Sequence, residues 1–281
     1  MKRFSNIIPS SSRLGLLGAV FAMVFLCASS IAVCQHNVLD SDPLSARKLI
    51  VYDQVGGYGG LSFNTQGGTI VTDCNCEFTG GAGTGFTIGA MFERLTRSRL
   101  IWGVSLGYEN RSIEGRFREI EGVVQRSPTS GTEYTVPLEF TNIANVNLGL
   151  LTATPYLKYT AFNLVFAKAG ASISYVVSSN LKHTKVLMSD TVRFPNGESA
   201  SVSLPDGDGS NSFVLQDGPI KDLNGLQLGV ILGAGFDVRP SKSLYLSPVI
   251  QYVILVTSIS SSVGNFSSRA LQLLVECRFI L

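Results

Sequence analysis

The chain has 281 residues, a formal net charge of +2, only 15% charged side chains and 29 glycines, with 45% of its residues hydrophobic. The high apolar content excludes a disordered polypeptide, and the near-neutral charge leaves no basic footprint for nucleic acid.

The first 34 residues carry Lys2, Arg3 and Arg13 and no acid, followed by an apolar run from Leu14 to Val33. That order is an export signal, with cleavage after Ala32 or Cys34 as alternatives; an uncleaved helical anchor is the competing reading of the same run. Removing residues 1–34 takes away three of 22 basic groups and none of 20 acidic ones, so the mature chain is near −1. Residues 35–50 read as a polar periplasmic N-terminal segment and 51–281 as one β-barrel domain. No other stretch is apolar for long enough to span a bilayer as a helix, so the remainder is soluble and secreted or crosses as strands.

Period-two alternation then recurs along the chain. The first predicted strand points Leu61 and Phe63 one way and Gly60, Ser62 and Asn64 the other. A second covers Gly85 to Arg94, with Phe86, Ile88, Ala90 and Phe92 on the apolar face, and Thr96-Arg97-Ser98 turns the chain. The third, Leu100 to Arg111, places Leu100, Trp102, Val104, Leu106 and Tyr108 opposite Gly103, Ser105, Gly107 and Glu109. Ser112 to Tyr134 is charged and reads as a long loop. The fourth strand runs from about Asn145 to Tyr159 with Leu157 and Tyr159 outward and Lys158 inward, and a shift near Leu150 and Leu151 signals a bulge. In the fifth, Ala167, Ala169, Ala171, Ile173 and Tyr175 oppose Lys168, Gly170, Ser172 and Ser174.

Leu181 to Asn224 is rich in Ser, Asp, Gly and Asn and reads as the longest irregular connection. Three final strands begin at Leu226, Leu244 and Leu271. They are long enough for tilted bilayer crossings of about 9 to 11 residues, and one face of each is continuously apolar. The fold class that follows is all-β: an eight-stranded antiparallel up-and-down transmembrane β-barrel. Long connections after strands one, three, five and seven, and short ones after two, four and six, give the loop asymmetry of an outer-membrane barrel. The competing reading is a secreted soluble β-barrel or sandwich that buries the apolar face.

Gly56 to Asn64, Trp102 to Tyr108, Thr154-Pro155-Tyr156-Leu157-Lys158-Tyr159, Ala169-Gly170 and Cys277-Arg278-Phe279 resemble the eight-stranded outer-membrane β-barrel family of Bacteroidetes-type bacteria, often described as porin-family proteins. The resemblance covers residues 51 to 281. It implies residence in the outer membrane of a Gram-negative cell and insertion by the outer-membrane assembly machinery, with Phe279 as the assembly-signal candidate. Leu274 stands where such signals usually have glycine, and Ile280 and Leu281 follow the aromatic.

Glu93, Glu109, Arg111, Lys168, Asp237, Gln251, Glu276 and Arg278 fall on the polar face and are lumen candidates. Charges inside a narrow barrel must be paired or wet, so they form either a salt-bridged plug or the lining of a narrow pore. Trp102, Tyr108, Tyr156, Tyr159, Tyr175, Phe236 and Tyr252 are candidates for interfacial girdles.

Conventional chemistry finds little support. Only His36 and His183 are present; His183, near Ser178, Ser179, Lys182 and Lys185, has no evident carboxylate partner for nucleophilic catalysis. Asp206-Gly207-Asp208-Gly209-Ser210-Asn211, with Asp217 further on, lacks the glycine at the turn position and the terminal glutamate of a calcium loop. Cys74-Asn75-Cys76 is too tight to bridge itself without unusual geometry, and no second cysteine pair with histidine supplies a metal site. The expectation is therefore a non-enzymatic, monomeric barrel with no catalytic, metal or cofactor residues, contacting outer-membrane lipid. Its role is structural or adhesin-like, with an extracellular ligand or host surface as partner; a narrow porin for small solutes is the alternative.

Overall fold

A computed structural model describes residues 53–281 apart from 73, 75, 97–98, 128, 162–163, 190, 196, 202–210 and 261–264. The leader, the 35–50 segment with His36, and most of the Asp206 loop lie outside the described residues. Eight long strands form the wall: β1 (Asp53–Gly67), β2 (Gly81–Leu95), β3 (Leu100–Arg126), β4 (Glu133–Ala161), β5 (Val165–Leu187), β6 (Leu226–Phe236), β7 (Leu244–Leu255) and β8 (Ser267–Ile280).

Each strand pairs antiparallel with its neighbours in sequence, and β8 returns to β1, so the ring closes. Closure follows from the bilayer: joining β1 to β8 satisfies the last two exposed edges, which lipid could not hydrate. The pairing of β1 with β8 is unbroken from Gln54↔Ile280 to Gly67↔Ser267.

Alternation decides which face meets what. Leu106, Ile88, Leu232, Leu157, Ile250 and Leu273 are all at least 46% exposed on the outside of the ring. Arg111, Lys158, Glu93, Gln272, Glu276 and Arg278 are no more than 1% exposed within it. A soluble barrel would reverse these faces; an apolar outside around a polar inside is the transmembrane arrangement. Aromatics lie near both limits of the outer apolar surface, where Phe86 meets Tyr108 with ring centres 6.0 Å apart and Phe92 meets Trp102 at 5.9 Å. Tyr156 does not join them. Its parity, between outward Pro155 and Leu157, turns it inward, and it is 4% exposed.

Two readings of the loops need correction. Ser112 to Tyr134 is not a long loop: β3 continues to Arg126, and 27 consecutive pairs join it to β4 without a break in register. Its polarity inverts partway. Up to Tyr108 the outward positions are apolar, but from Asn110 they become Ser112, Glu114, Arg116 and Arg118, while Ile113, fully buried, and Phe117 face in. A strand above the bilayer has water outside it, so it needs no apolar outer face; the charge that suggested a loop belongs to a wetted strand. Similarly β5 continues to Leu187, and Ser212–Gly218 pairs with its upper part, from Ser212↔Val186 to Gly218↔Leu181.

The expected bulge lies where β4 meets β5. Register shifts between Gly149 and Leu150, but the unmatched residue is Val177 on β5, whose partners pass from Val176 to Ser178. Inward parity on β4 is therefore preserved, while on β5 it changes from Ser172 and Ser174 to Leu181 and His183.

Candidate functional site

Two layers fill the ring. The lower is ionic. Arg278 of β8 donates from Nη1 to Glu93 of β2 at 2.6 Å and from Nη2 to Ser247 of β7 at 2.5 Å, and it also pairs with Asp237. Glu93 accepts from the Tyr156 hydroxyl at 2.9 Å and from Lys158 at 3.4 Å. Lys158 also lies 3.6 Å from Asp237 and 3.9 Å from the centre of the Phe166 ring. Lys168 bonds Glu276 at 2.7 Å; Arg111 holds Glu109 through Nε at 3.0 Å and Nη2 at 2.6 Å; Gln251 donates to Gln272 at 3.0 Å.

All eight lumen candidates thus lie inside the ring. Lys158, read as inward from its alternation with Leu157 and Tyr159, belongs with them. Across these described residues Glu93, Glu109, Asp237 and Glu276 face Arg111, Lys158, Lys168 and Arg278, so the formal charges cancel. Cancellation matters because an unpaired ion in a poorly solvated interior costs several kcal/mol. Glycines provide space for the packing. A methylene at Gly107 would stand 2.2 Å from the Tyr58 hydroxyl, and one at Gly103 would stand 2.7 Å from the Tyr156 ring. A cavity among these side chains, bounded by Tyr58, Glu109, Lys168, Gln272 and Glu276, is about 10 Å³, room for roughly one water.

The upper layer is apolar. Ile113, Ala144, Val146, Leu148, Leu150, Val176 and Leu181 of the wall meet residues sent inward by three connections: Ile70 and Phe78 from the β1–β2 connection, Ile220 from β5–β6, and Ile259 and Phe266 from β7–β8. The β1–β2 connection forms a short hairpin of Ile70–Val71 and Glu77–Phe78. A second apolar cluster lies farther along the extension, where Val136, Leu138, Phe140 and Leu187 pack under Val192 and Phe194 of another hairpin, Thr191–Arg193 with Ser199–Ser201.

At the β1–β2 connection the structure joins Cys74 to Cys76, with Cα atoms 5.3 Å apart. The sequence reading allowed this pair a bridge only with unusual geometry. Beside them lies His183, fully buried. Its Nδ1 is 3.1 Å from the Thr72 hydroxyl and 3.6 Å from Cys74 Sγ, while Nε2 is 3.1 Å from Asn142 Oδ1. Asn142 donates its own amide to Glu119 at 3.3 Å, which turns Oδ1 toward the histidine. The Phe78 ring stands edge-on to the imidazole at 5.3 Å. Burial first, and Lys185 second, hold the imidazole pKa below its ordinary value. Its ring nitrogens face Thr72, Cys74 and Asn142 rather than Ser178 or Ser179. Phe279 is 49% exposed on the outer wall, opposite Val55 and Leu244, and Cys277 is a free thiol.

No protein-family model matches the chain, and no curated protein matches it. Among solved structures it is similar to Neisserial surface protein A at 12% identity and a TM-score of 0.32, covering 81% of this chain and 96% of that one. The attachment invasion locus protein Ail of Yersinia pestis is 10% identical, with a TM-score of 0.31 and coverage of 81% and 99%. The outer membrane protease OmpT from Escherichia coli is 9% identical, with a TM-score of 0.31 and coverage of 84% and 100%.

Proposed function

We propose that the protein is a non-enzymatic, non-conducting surface protein of a Gram-negative outer membrane, with the barrel as anchor and the tall sheet as contact surface. The observation that carries this reading is the double closure of the lumen. A charge-balanced ionic layer of buried, paired side chains encloses a cavity of about 10 Å³ beside Glu109 and Glu276, and an apolar layer of loop and wall side chains covers it. A hydrated solute has no room in the first layer and no polar path through the second, which disfavours the narrow porin. Three strands that fill the lumen with paired side chains also continue outward, where wetted outer faces and a second apolar core make a firm platform. The proposed partner is an extracellular ligand or a host surface.

The test replaces 119–139, the tip of the β3–β4 hairpin, with a two-residue turn, leaving the bilayer-spanning wall and the mouth cluster intact. The shortened protein should retain heat-modifiable gel migration and lose attachment of expressing cells to host-cell or matrix surfaces. Purified full-length protein should be electrically silent in planar bilayers. Steady conductance would refute the sealed anchor, and attachment undiminished by the trim would refute the platform.

A further inference from the structure

The covered mouth contains one polar cluster that neither closing the lumen nor building the platform requires. Cys74, Cys76 and His183 present one donor atom each, all within 4.8 Å of one another. The histidine is fully buried, while Cys74 is exposed, so the group is anchored on the wall side and open on the solvent side.

The histidine is prepared as a ligand. Glu119 accepts from the Asn142 amide, so Asn142 Oδ1 is left to accept from His183 Nε2. The proton therefore sits on Nε2 and the lone pair on Nδ1, the nitrogen that faces Cys74. A hydrogen bond on the far nitrogen is what fixes the tautomer and ring angle of metal-ligating histidines. Spacing agrees with this. Sulfur at about 2.3 Å and nitrogen at about 2.0 Å from one tetrahedral ion stand roughly 3.5 Å apart, and Cys74 Sγ lies 3.6 Å from His183 Nδ1. Thr72 Oγ1 lies 3.2 Å from Cys74 Sγ, in position to donate to a thiolate.

From this geometry we infer that Cys74, Cys76 and His183 form a redox-gated site for a thiophilic metal ion of the Zn²⁺ class. In the disulfide form the sulfurs are committed to each other and the site is closed. An external dithiol opens it: the Sγ–Sγ bond breaks, two electrons and two protons pass to the cysteines, and the reductant leaves as its own disulfide. The ion then displaces the two thiol protons and takes Sγ of Cys74, Sγ of Cys76 and Nδ1 of His183, with water completing the four ligands usual for zinc. Two sulfurs on one such ion stand about 3.8 Å apart, a separation the short connection between Cys74 and Cys76 permits by turning the side chains.

The experiment uses the full-length protein folded in detergent, reduced with a phosphine that is then removed, and titrated with Zn²⁺ against a chromophoric chelator. The reduced protein should bind one ion per chain beyond whatever the Cys74→Ser/Cys76→Ser double variant binds, and the oxidised protein should bind none of that increment. His183→Gln should weaken the site at least ten-fold, and Co²⁺ in place of zinc should give a thiolate-to-metal charge-transfer band. Heat-modifiable migration verifies that each variant is folded. Alkylation needs no variant: Zn²⁺ should protect Cys74 and Cys76 in the reduced wild-type protein. Equal binding by the oxidised and reduced forms, undiminished affinity in His183→Gln, or alkylation unaffected by Zn²⁺ would each overturn the site.

Discussion

Removing Arg278 is the sharpest perturbation of the ionic layer, because this one guanidinium is shared by Glu93, Asp237, Ser247 and, at 3.4 Å, Gln54. Arg278→Met keeps much of the side-chain volume but leaves four acidic groups facing three basic ones. Glu93 retains Lys158 and Tyr156, at 3.4 and 2.9 Å, so the loss belongs at the lower end of the 3–5 kcal/mol typical of a broken buried pair, about 3 kcal/mol. The companion Glu93→Gln substitution restores formal neutrality in the double variant. The double should therefore be at least about 1 kcal/mol more stable than the sum of the two single losses predicts, since neighbours in one network do not add. Reversible urea unfolding in lipid vesicles, followed by tryptophan fluorescence and gel migration, gives all three values. A single-variant loss below about 1 kcal/mol, or strict additivity, would refute the view that charge balance holds this layer together.

Three further expectations follow from the same geometry. Val230→Arg, which turns a 44% exposed outward side chain into a cation in hydrocarbon, should cost about 2–4 kcal/mol near mid-membrane, and a single cysteine there should react with a lipid-soluble label and resist a water-soluble one. Ile113→Ala, at a fully buried position in the mouth cluster, should cost about 2–5 kcal/mol yet leave bilayers silent, because the ionic layer lies beneath it. Asp217 has its pKa held below the ordinary carboxylate value by hydrogen bonds from Lys182 and Asn180, so its hold on the 212–218 strand is complete above the unfolded-state pKa near 3.8 and is lost as pH falls through the lower folded-state value; hydrogen exchange in that strand should rise there, and Asp217→Asn should remove the acid-dependent part.

The ring and its two faces were legible in the sequence because the bilayer imposes a strict rule on each spanning residue: outward side chains such as Leu106 and Leu232 are apolar, and inward ones such as Glu93 and Arg278 are polar. Outside the bilayer that rule lapses. Ser112 to Arg126 still alternates, but with water on the outer face its charges resemble those of a loop, and only Ile113, Phe117 and Val123 on the alternate positions reveal the strand. The bulge was legible as a break in pattern near Leu150, but the residue that absorbs it is on the neighbouring strand. Which side of a pairing takes the extra residue depends on register, and register is a property of two strands together. The cysteine and histidine cluster was not legible at all: more than a hundred residues separate Cys74 from His183, and the parity change at Val177 turns His183 inward.

That parity change also links anchor and platform. With Val177 unmatched, the inward face of β5 passes from Ser172 and Ser174, beside the ionic layer, to Leu181, in the apolar layer, and to His183, against the β1–β2 connection. Were Val177 instead paired in regular alternation, the positions above it would keep the lower parity: Leu181 and His183 would turn outward, and Lys182, now 45% exposed and 3.1 Å from Asp217, would turn into the apolar mouth. A cation placed there without a partner costs several kcal/mol, and the outer strand 212–218 would lose its ion pair. The bulge therefore fixes three things at once: the apolar seal, the attachment of the outer strand, and the histidine beside the cysteine pair. Deleting Val177 alone removes the bulge and leaves the residues above it on their present faces, so the 212–218 strand should stay paired. Deleting Val177 and Ser178 together shifts the parity by one and should release that strand and expose Leu181 while the lower ring remains closed, readable as new protease cleavage above the membrane with unchanged heat-modifiable migration.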